Sequence, residues 1–163
     1  MKGTFNADEI FEMAMEIERN GAKFYRKAAE GKAGRTSKEL LLRLADMEVE
    51  HERTFAAMRE MLTTVETTSA TFDPDDEAAL YLRAVADGHV FNVKADPSAK
   101  LGGKESAADI LKTAIGLEKD SIVFYLGIQD LVGKALGRDK IAHIIREEMS
   151  HVTLLSAELA KVA

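Results

Sequence analysis

The chain has 163 residues, enough for one domain with a full hydrophobic core, and at 46% apolar content it is a folding sequence rather than a disordered acidic tail. Lys+Arg 22 against Asp+Glu 28 leaves a net charge of −6, which argues against nucleic acid or an anionic membrane as the main partner. The lack of cysteine excludes disulfides, zinc ribbons, iron–sulfur clusters and thiol catalysis, so any metal must be held by His and carboxylates, donors that suit iron or manganese.

Asn6 or Asp8 can cap a first helix over about residues 8–30, whose inward face reads Phe11, Ala14, Glu18, Gly21, Tyr25 and Ala28. Gly31 and Gly34 end it. Thr36 and Glu39 fit a capping box for a second helix over about 37–64, and the short link implies an antiparallel pair. Its apolar stripe is Leu41, Leu44, Glu48, His51, Phe55, Met58 and Leu62, with a carboxylate and an imidazole set into the middle. Two polar groups aimed at a core cost free energy unless something there satisfies them, and a metal ion is one such partner.

Residues 65–105 read as a crossover: a Thr- and Ser-rich loop, a short helix from about Asp75 to Asp87 behind Pro74, then an extended stretch with Pro97 and Gly102-Gly103. Long helices over about 106–132 and 138–161 follow, with Gly133 and Gly137 bracketing the turn between them. No segment shows sustained period-2 alternation, so no sheet is expected. Two long helices, a crossover of about forty residues and two more long helices describe an all-α four-helix bundle with one crossover, in a single domain over 1–163. No apolar run approaches the roughly 20 residues of a membrane span. The first eight residues lack the order of a signal peptide, so a cytoplasmic location is expected.

Shifted by 100 residues, the chain aligns with itself without a gap. Ile10 falls on Ile110, Ala14 on Ala114, Glu18 on Glu118, Phe24-Tyr25 on Phe124-Tyr125, Glu48 on Glu148 and His51 on His151. The matches gather on the inward faces. Two of the four His have a Glu three positions before them, and each lies 33 residues after a Glu that is followed seven residues later by Tyr. Four helices thus carry Glu18, Glu48 with His51, Glu118, and Glu148 with His151. Two divalent metals bring four positive charges, which four glutamates can balance. Carboxylates can also bridge two ions about 3.5–4 Å apart. Glu50, Glu52 and Glu147 are expected to face solvent, His143 offers an alternative register for the fourth helix, and His89 is expected to be structural. Met13, Met47, Met58 and Met61 read as packing or surface.

On Glu18-Arg19-Asn20-Gly21 with Phe24-Tyr25, Glu48-Val49-Glu50-His51, Glu118-Lys119-Asp120-Ser121 with Phe124-Tyr125, and Glu148-Met149-Ser150-His151, the chain resembles the rubrerythrin and ferritin-like di-iron carboxylate superfamily. The resemblance covers the four helices and leaves out the crossover. It implies two iron ions, with manganese or a mixture as the alternative. Glu48 and Glu148 would bridge them, Glu18 with His51 would hold one ion, and Glu118 with His151 the other. Tyr25 and Tyr125 resemble tyrosines that hydrogen-bond ligand carboxylates across the bundle; the other reading is ordinary core aromatics.

The chain departs from rubrerythrins in two ways. Without Cys it has no rubredoxin-type iron site, so electrons are expected from an external donor, rubredoxin-like or flavoprotein, or from the substrate. Ser121 stands where rubrerythrins tend to have a further Glu, leaving a six-ligand site closer in composition to bacterioferritin. The resulting expectation is a non-haem di-iron oxidoreductase that reduces hydrogen peroxide or O2. The alternatives are a ferroxidase serving iron storage or detoxification, and a metal-free helical interaction module. A homodimer is expected, because related bundles often pair.

Overall fold

The computed structural model describes residues 6–31, 34–62, 80–82, 84 and 95–162. Four long helices dominate it: α1 (Ala7–Glu30), α2 (Arg35–Glu60), α3 (Ala107–Gln129) and α4 (Arg138–Val162). There is no strand among the described residues. The fold is the expected all-α bundle.

Local chemistry sets the helix ends. Asn6 caps α1 in a reciprocal box: its side chain accepts from the Glu9 N–H, and the Glu9 carboxylate accepts from the Asn6 N–H. Ser106 and Asp109 do the same for α3. Thr36, expected to cap α2 with Glu39, is not its N-cap. The N-cap of α2 is Gly34, with no side-chain cap, so the helix begins before Thr36. It also ends at Glu60, short of the expected 64, where Met61 takes the C-cap position. Lys134–Leu136 form a 3-10 turn between α3 and α4, ended by Gly137 at φ +104°.

Helix directions follow from the two apolar clusters. One joins Ile10, Phe11 and Ala14 of α1, Phe55 and Met58 of α2, Phe124, Tyr125 and Ile128 of α3, and Ile141, Ile144 and Ile145 of α4. The other joins Phe24, Tyr25 and Ala28 of α1, Leu41, Leu44 and Ala45 of α2, Ile110, Leu111 and Ala114 of α3, and Leu155 of α4. The start of α1 therefore lies beside the end of α2, the end of α3 and the start of α4. Helices α1 and α4 run one way, and α2 and α3 the other. Helix α2 therefore ends at one end of the bundle and α3 begins at the other, so no tight turn can join them. Between the clusters, at mid-height, lie Glu18, Glu48, His51, Glu118, Glu148 and His151.

Little of the crossover is described. Leu80–Leu82 are helical, while the rest of the expected helix from Asp75 to Asp87, and His89, lie outside the described residues. The stretch expected to be extended up to Gly103 contains a 3-10 helix, Pro97–Lys100, capped by Asp96. Lys23 pairs with Asp96, and Lys27 donates to the Ser98 carbonyl at 2.8 Å, which ties this segment to α1.

The Tyr81 hydroxyl donates to the Val123 carbonyl, and its ring lies over Gly127, where a Cβ would collide with Cε1 and Cδ1 of the ring. Gly127→Ala must therefore displace the ring. Overpacking of this kind costs about 1–3 kcal/mol, against a gain of about 1 kcal/mol from replacing a helical Gly. We expect a lower urea midpoint for Gly127→Ala in wild-type background and a higher one when Tyr81→Ala has already removed the ring. Equal effects in both backgrounds would contradict this packing.

Candidate metal centre

The six mid-height residues are each at most 4% exposed. Helical spacing puts Glu48 beside His51 and Glu148 beside His151, while Glu18 and Glu118 come from the other two helices. Their donor atoms form two clusters, Glu18–Glu48–His51–Glu148 and Glu48–Glu118–Glu148–His151, each with all its atoms within 4.8 Å of one another. Glu48 and Glu148 belong to both.

Glu148 stands at the centre. Its Oε1 lies 3.0 Å from His51 Nδ1 and its Oε2 2.8 Å from His151 Nδ1, so one carboxylate spans both imidazoles. Glu18 Oε2 lies 3.6 Å from His51 Nδ1. Glu118 Oε1 and Glu48 Oε1 lie 3.4 and 3.5 Å from His151 Nδ1. The two rings are nearly parallel, inclined by 18°, with centroids 5.8 Å apart.

The tyrosines reach across the bundle. Tyr25 of α1 donates its hydroxyl to Glu118 Oε1 of α3, and Tyr125 of α3 donates to Glu18 Oε1 of α1. Tyr125 holds Glu18 Oε1 and leaves Oε2 for the centre, whereas Tyr25 holds the same Glu118 oxygen that faces His151. Gly21 makes room on the α1 side: a Cβ there would lie 3.0 Å from Glu48 Oε2. At the position 100 residues on, Ser121 turns its hydroxyl back to the Leu117 carbonyl and brings no carboxylate.

The electrostatics are those of a carboxylate cluster removed from water. Burial, then the nearby Glu48 and Glu148, push the Glu18 carboxyl well above its ordinary range. Burial and Glu148 push Glu118 up to about 8. Burial opposes charge on the His51 imidazole, but the Glu148 and Glu18 carboxylates outweigh it and raise the ring to about 11. His151 follows the same balance, with Glu118, Glu148 and Glu48 raising it to about 12. Burial first, then the carboxylates they meet, holds Tyr25 and Tyr125 well above the ordinary phenol range and keeps both as hydroxyl donors. The cluster calls for positive charge.

Whether a metal pair fits can be tested on hydrogen bonding. Buried polar atoms are nearly always paired. Among the described residues, seven buried side-chain atoms have no hydrogen-bond partner: Glu18 Oε2, Glu48 Oε1, His51 Nδ1, both Glu148 oxygens, and Nδ1 and Nε2 of His151. All belong to this one cluster. The contacts between them are close, yet they lack hydrogen-bond geometry. Oxygens and ring nitrogens converging in this way are what two hard-to-borderline divalent cations require, so the residues fit.

Glu50 is exposed and pairs with Arg53, and Glu52 pairs with Arg19 at 2.7 Å; both lie outside the cluster. His143 is exposed and does not join it. The solvent-facing expectation for Glu147 is corrected. It is half-buried, and His51 Nε2–H donates to its Oε2 at 3.0 Å. Its place one turn before His151 put Glu147 on the site's side of α4, but the spacing points to His151 and not to His51, which it meets across the bundle.

A one-crossover helical bundle around a layer of glutamates and histidines is a ferritin-like architecture. The chain belongs to the ferritin-like domain family, whose sequence model matches residues 6–161. The fold is similar to the crystal structure of a protein from Thermotoga maritima described as a ferritin-like diiron-carboxylate protein, with a TM-score of 0.72 and 23% identity over 100% of both chains. No curated protein matches the chain. Among the described residues no helix is long and apolar enough to cross a membrane.

Proposed function

We propose that this protein is a non-haem di-iron oxidoreductase of rubrerythrin-like character, reducing hydrogen peroxide or O2 with electrons from an external rubredoxin-like or flavoprotein donor. The observation that carries the proposal is that, among the described residues, all seven unpaired buried side-chain atoms belong to the residues of two four-residue clusters that share Glu48 and Glu148. Glu18 and His51 would hold one ion and Glu118 and His151 the other, with Glu48 and Glu148 bridging. When bound, the iron pair supplies the two electrons that, with two protons, reduce H2O2 to two waters.

The protein's own part is positioning and charge balance. Four carboxylates offset the charge of two divalent ions. Tyr25 and Tyr125 fix the rotation of Glu118 and Glu18 through their hydroxyls. The apolar clusters above and below keep bulk water out, Phe55 packing against Tyr125 at 5.1 Å between ring centroids.

A second reading is a ferroxidase for which Fe(II) is the substrate; a surface cleft of about 660 Å³ reaches His51, lined by Glu50, Asp139 and Glu147 together with Arg53, Lys140 and His143. One experiment separates the two. Fe(II)-loaded protein is mixed with H2O2 or with O2 in stopped flow, and the near-ultraviolet charge-transfer band of oxidised iron is followed. Faster oxidation by peroxide, ending at two Fe per chain, supports the peroxidase. Continued turnover of added Fe(II) supports the ferroxidase. Absence of any transition metal, with no uptake by the metal-free protein, would sink both and favour a metal-free helical module. We also propose a homodimer, which particle mass in solution tests.

A further inference from the structure

The internal repeat makes the two halves of the centre nearly equivalent, and the structure shows where they differ. His51 and His151 both turn Nδ1 toward the carboxylates. Their outward nitrogens meet different surroundings. His51 Nε2–H donates to Glu147 Oε2 at 3.0 Å, and Glu147 in turn lies 3.5 Å from Nε2 of His143, at the cleft between α2 and α4. His151 Nε2 is buried without a partner. The repeat explains the difference: the counterpart of Glu147 is Met47, which packs in the apolar cluster, and the counterpart of His143 is Arg43, which is exposed.

A carboxylate on the far nitrogen of a ligating imidazole fixes its tautomer and orientation and raises its basicity. Losing such a partner typically costs about 10–100-fold in metal affinity. We infer that Glu147 is a positioning residue for His51 alone, and that it makes the two metal positions unequal: the position at Glu18 and His51 fills first and holds its ion more tightly than the position at Glu118 and His151. The inference rests on the di-iron reading of the site. It adds an order of loading, and with it a more exchangeable ion on the side away from Glu147.

The test is a titration of the metal-free protein with Co(II), a probe that needs no turnover and reports its ligands in the visible spectrum. Wild type is expected to bind two Co(II) in resolved steps, with His51→Gln abolishing the tighter and His151→Gln the weaker. Glu147→Ala is expected to weaken the tighter step about 10–100-fold and leave the other within about threefold. Glu147→Gln, which keeps the shape and loses the charge, should fall between. The melting temperature of each metal-free variant guards against a general loss of structure.

Two equal steps in wild type would overturn the inference. So would equal weakening of both steps in Glu147→Ala, or a tighter step that belongs to His151. Failure of the wild-type protein to bind Co(II) at all would instead overturn the di-iron reading on which the inference stands.

Discussion

Glu148→Ala is expected to abolish both metal positions, an effect that only loss of the other shared carboxylate, Glu48, should approach. Glu148 places one oxygen 3.0 Å from His51 Nδ1 and the other 2.8 Å from His151 Nδ1, and it belongs to both donor clusters. Its loss removes a charged donor from each ion at once, a larger effect than the about 10–100-fold typical of an outer partner. Glu118→Ala removes a donor from one cluster only, so it should cost one ion. Glu50→Ala should cost none, because that side chain is exposed and paired with Arg53. Metal content after dialysis, measured by elemental analysis, checks the series. Retention of both ions in Glu148→Ala, or loss in Glu50→Ala, would overturn the assigned register.

The metal-free protein should lose stability as pH rises, and metal should reverse the trend. Glu118 is raised from 4.5 to about 8, and Glu18 is raised in the same direction. The folded state therefore holds protons that the unfolded chain releases, and stability falls from pH 4.5 upward as these carboxyls are forced to ionise. His51 and His151, raised from 6.5 to about 11 and about 12, act in the same sense. Their contribution is complete below pH 6.5 and is lost as pH climbs toward their folded values. Metal ions take the place of these protons, so binding tightens and stabilises more as pH rises.

The melting temperature of the metal-free protein should therefore fall between pH 5.5 and 9, while the gap to the metal-loaded protein widens. In a chain of this length about 1 kcal/mol moves the midpoint by roughly 2–4 °C, so a drop of several degrees is within easy reach of calorimetry. A metal-free midpoint that rises over this range would show that the buried cluster is not governed by carboxylate repulsion.

How much of this was legible in the sequence depends on the range of the interaction. The four helices were, because their apolar stripes repeat with the helical period and their ends carry local signals, as at Asn6 with Glu9. Where the signal was weaker, boundaries slipped. Thr36 with Glu39 looked like a cap, but α2 begins earlier, at a glycine that offers no side chain. The six residues of the centre were also legible. Each is polar on an otherwise apolar stripe, and the 100-residue shift maps one half of the set onto the other.

The sequence by itself determined a one-crossover helical bundle with four glutamates and two histidines on its inward faces, since both features rest on spacing within a helix. Only the tertiary structure decided which helix answers which. Tyr25 meets Glu118 and Tyr125 meets Glu18, Glu148 spans both imidazoles, and Glu147 on α4, at the cleft, serves His51 on α2. These contacts depend on the rotation of each helix about its axis and on the parallel course of α2 and α3, and no spacing along one helix encodes either. The repeat maps equivalent positions onto each other, but it is blind to contacts across the bundle, where Glu147 has a counterpart, Met47, that cannot accept a proton-bearing nitrogen as a carboxylate does.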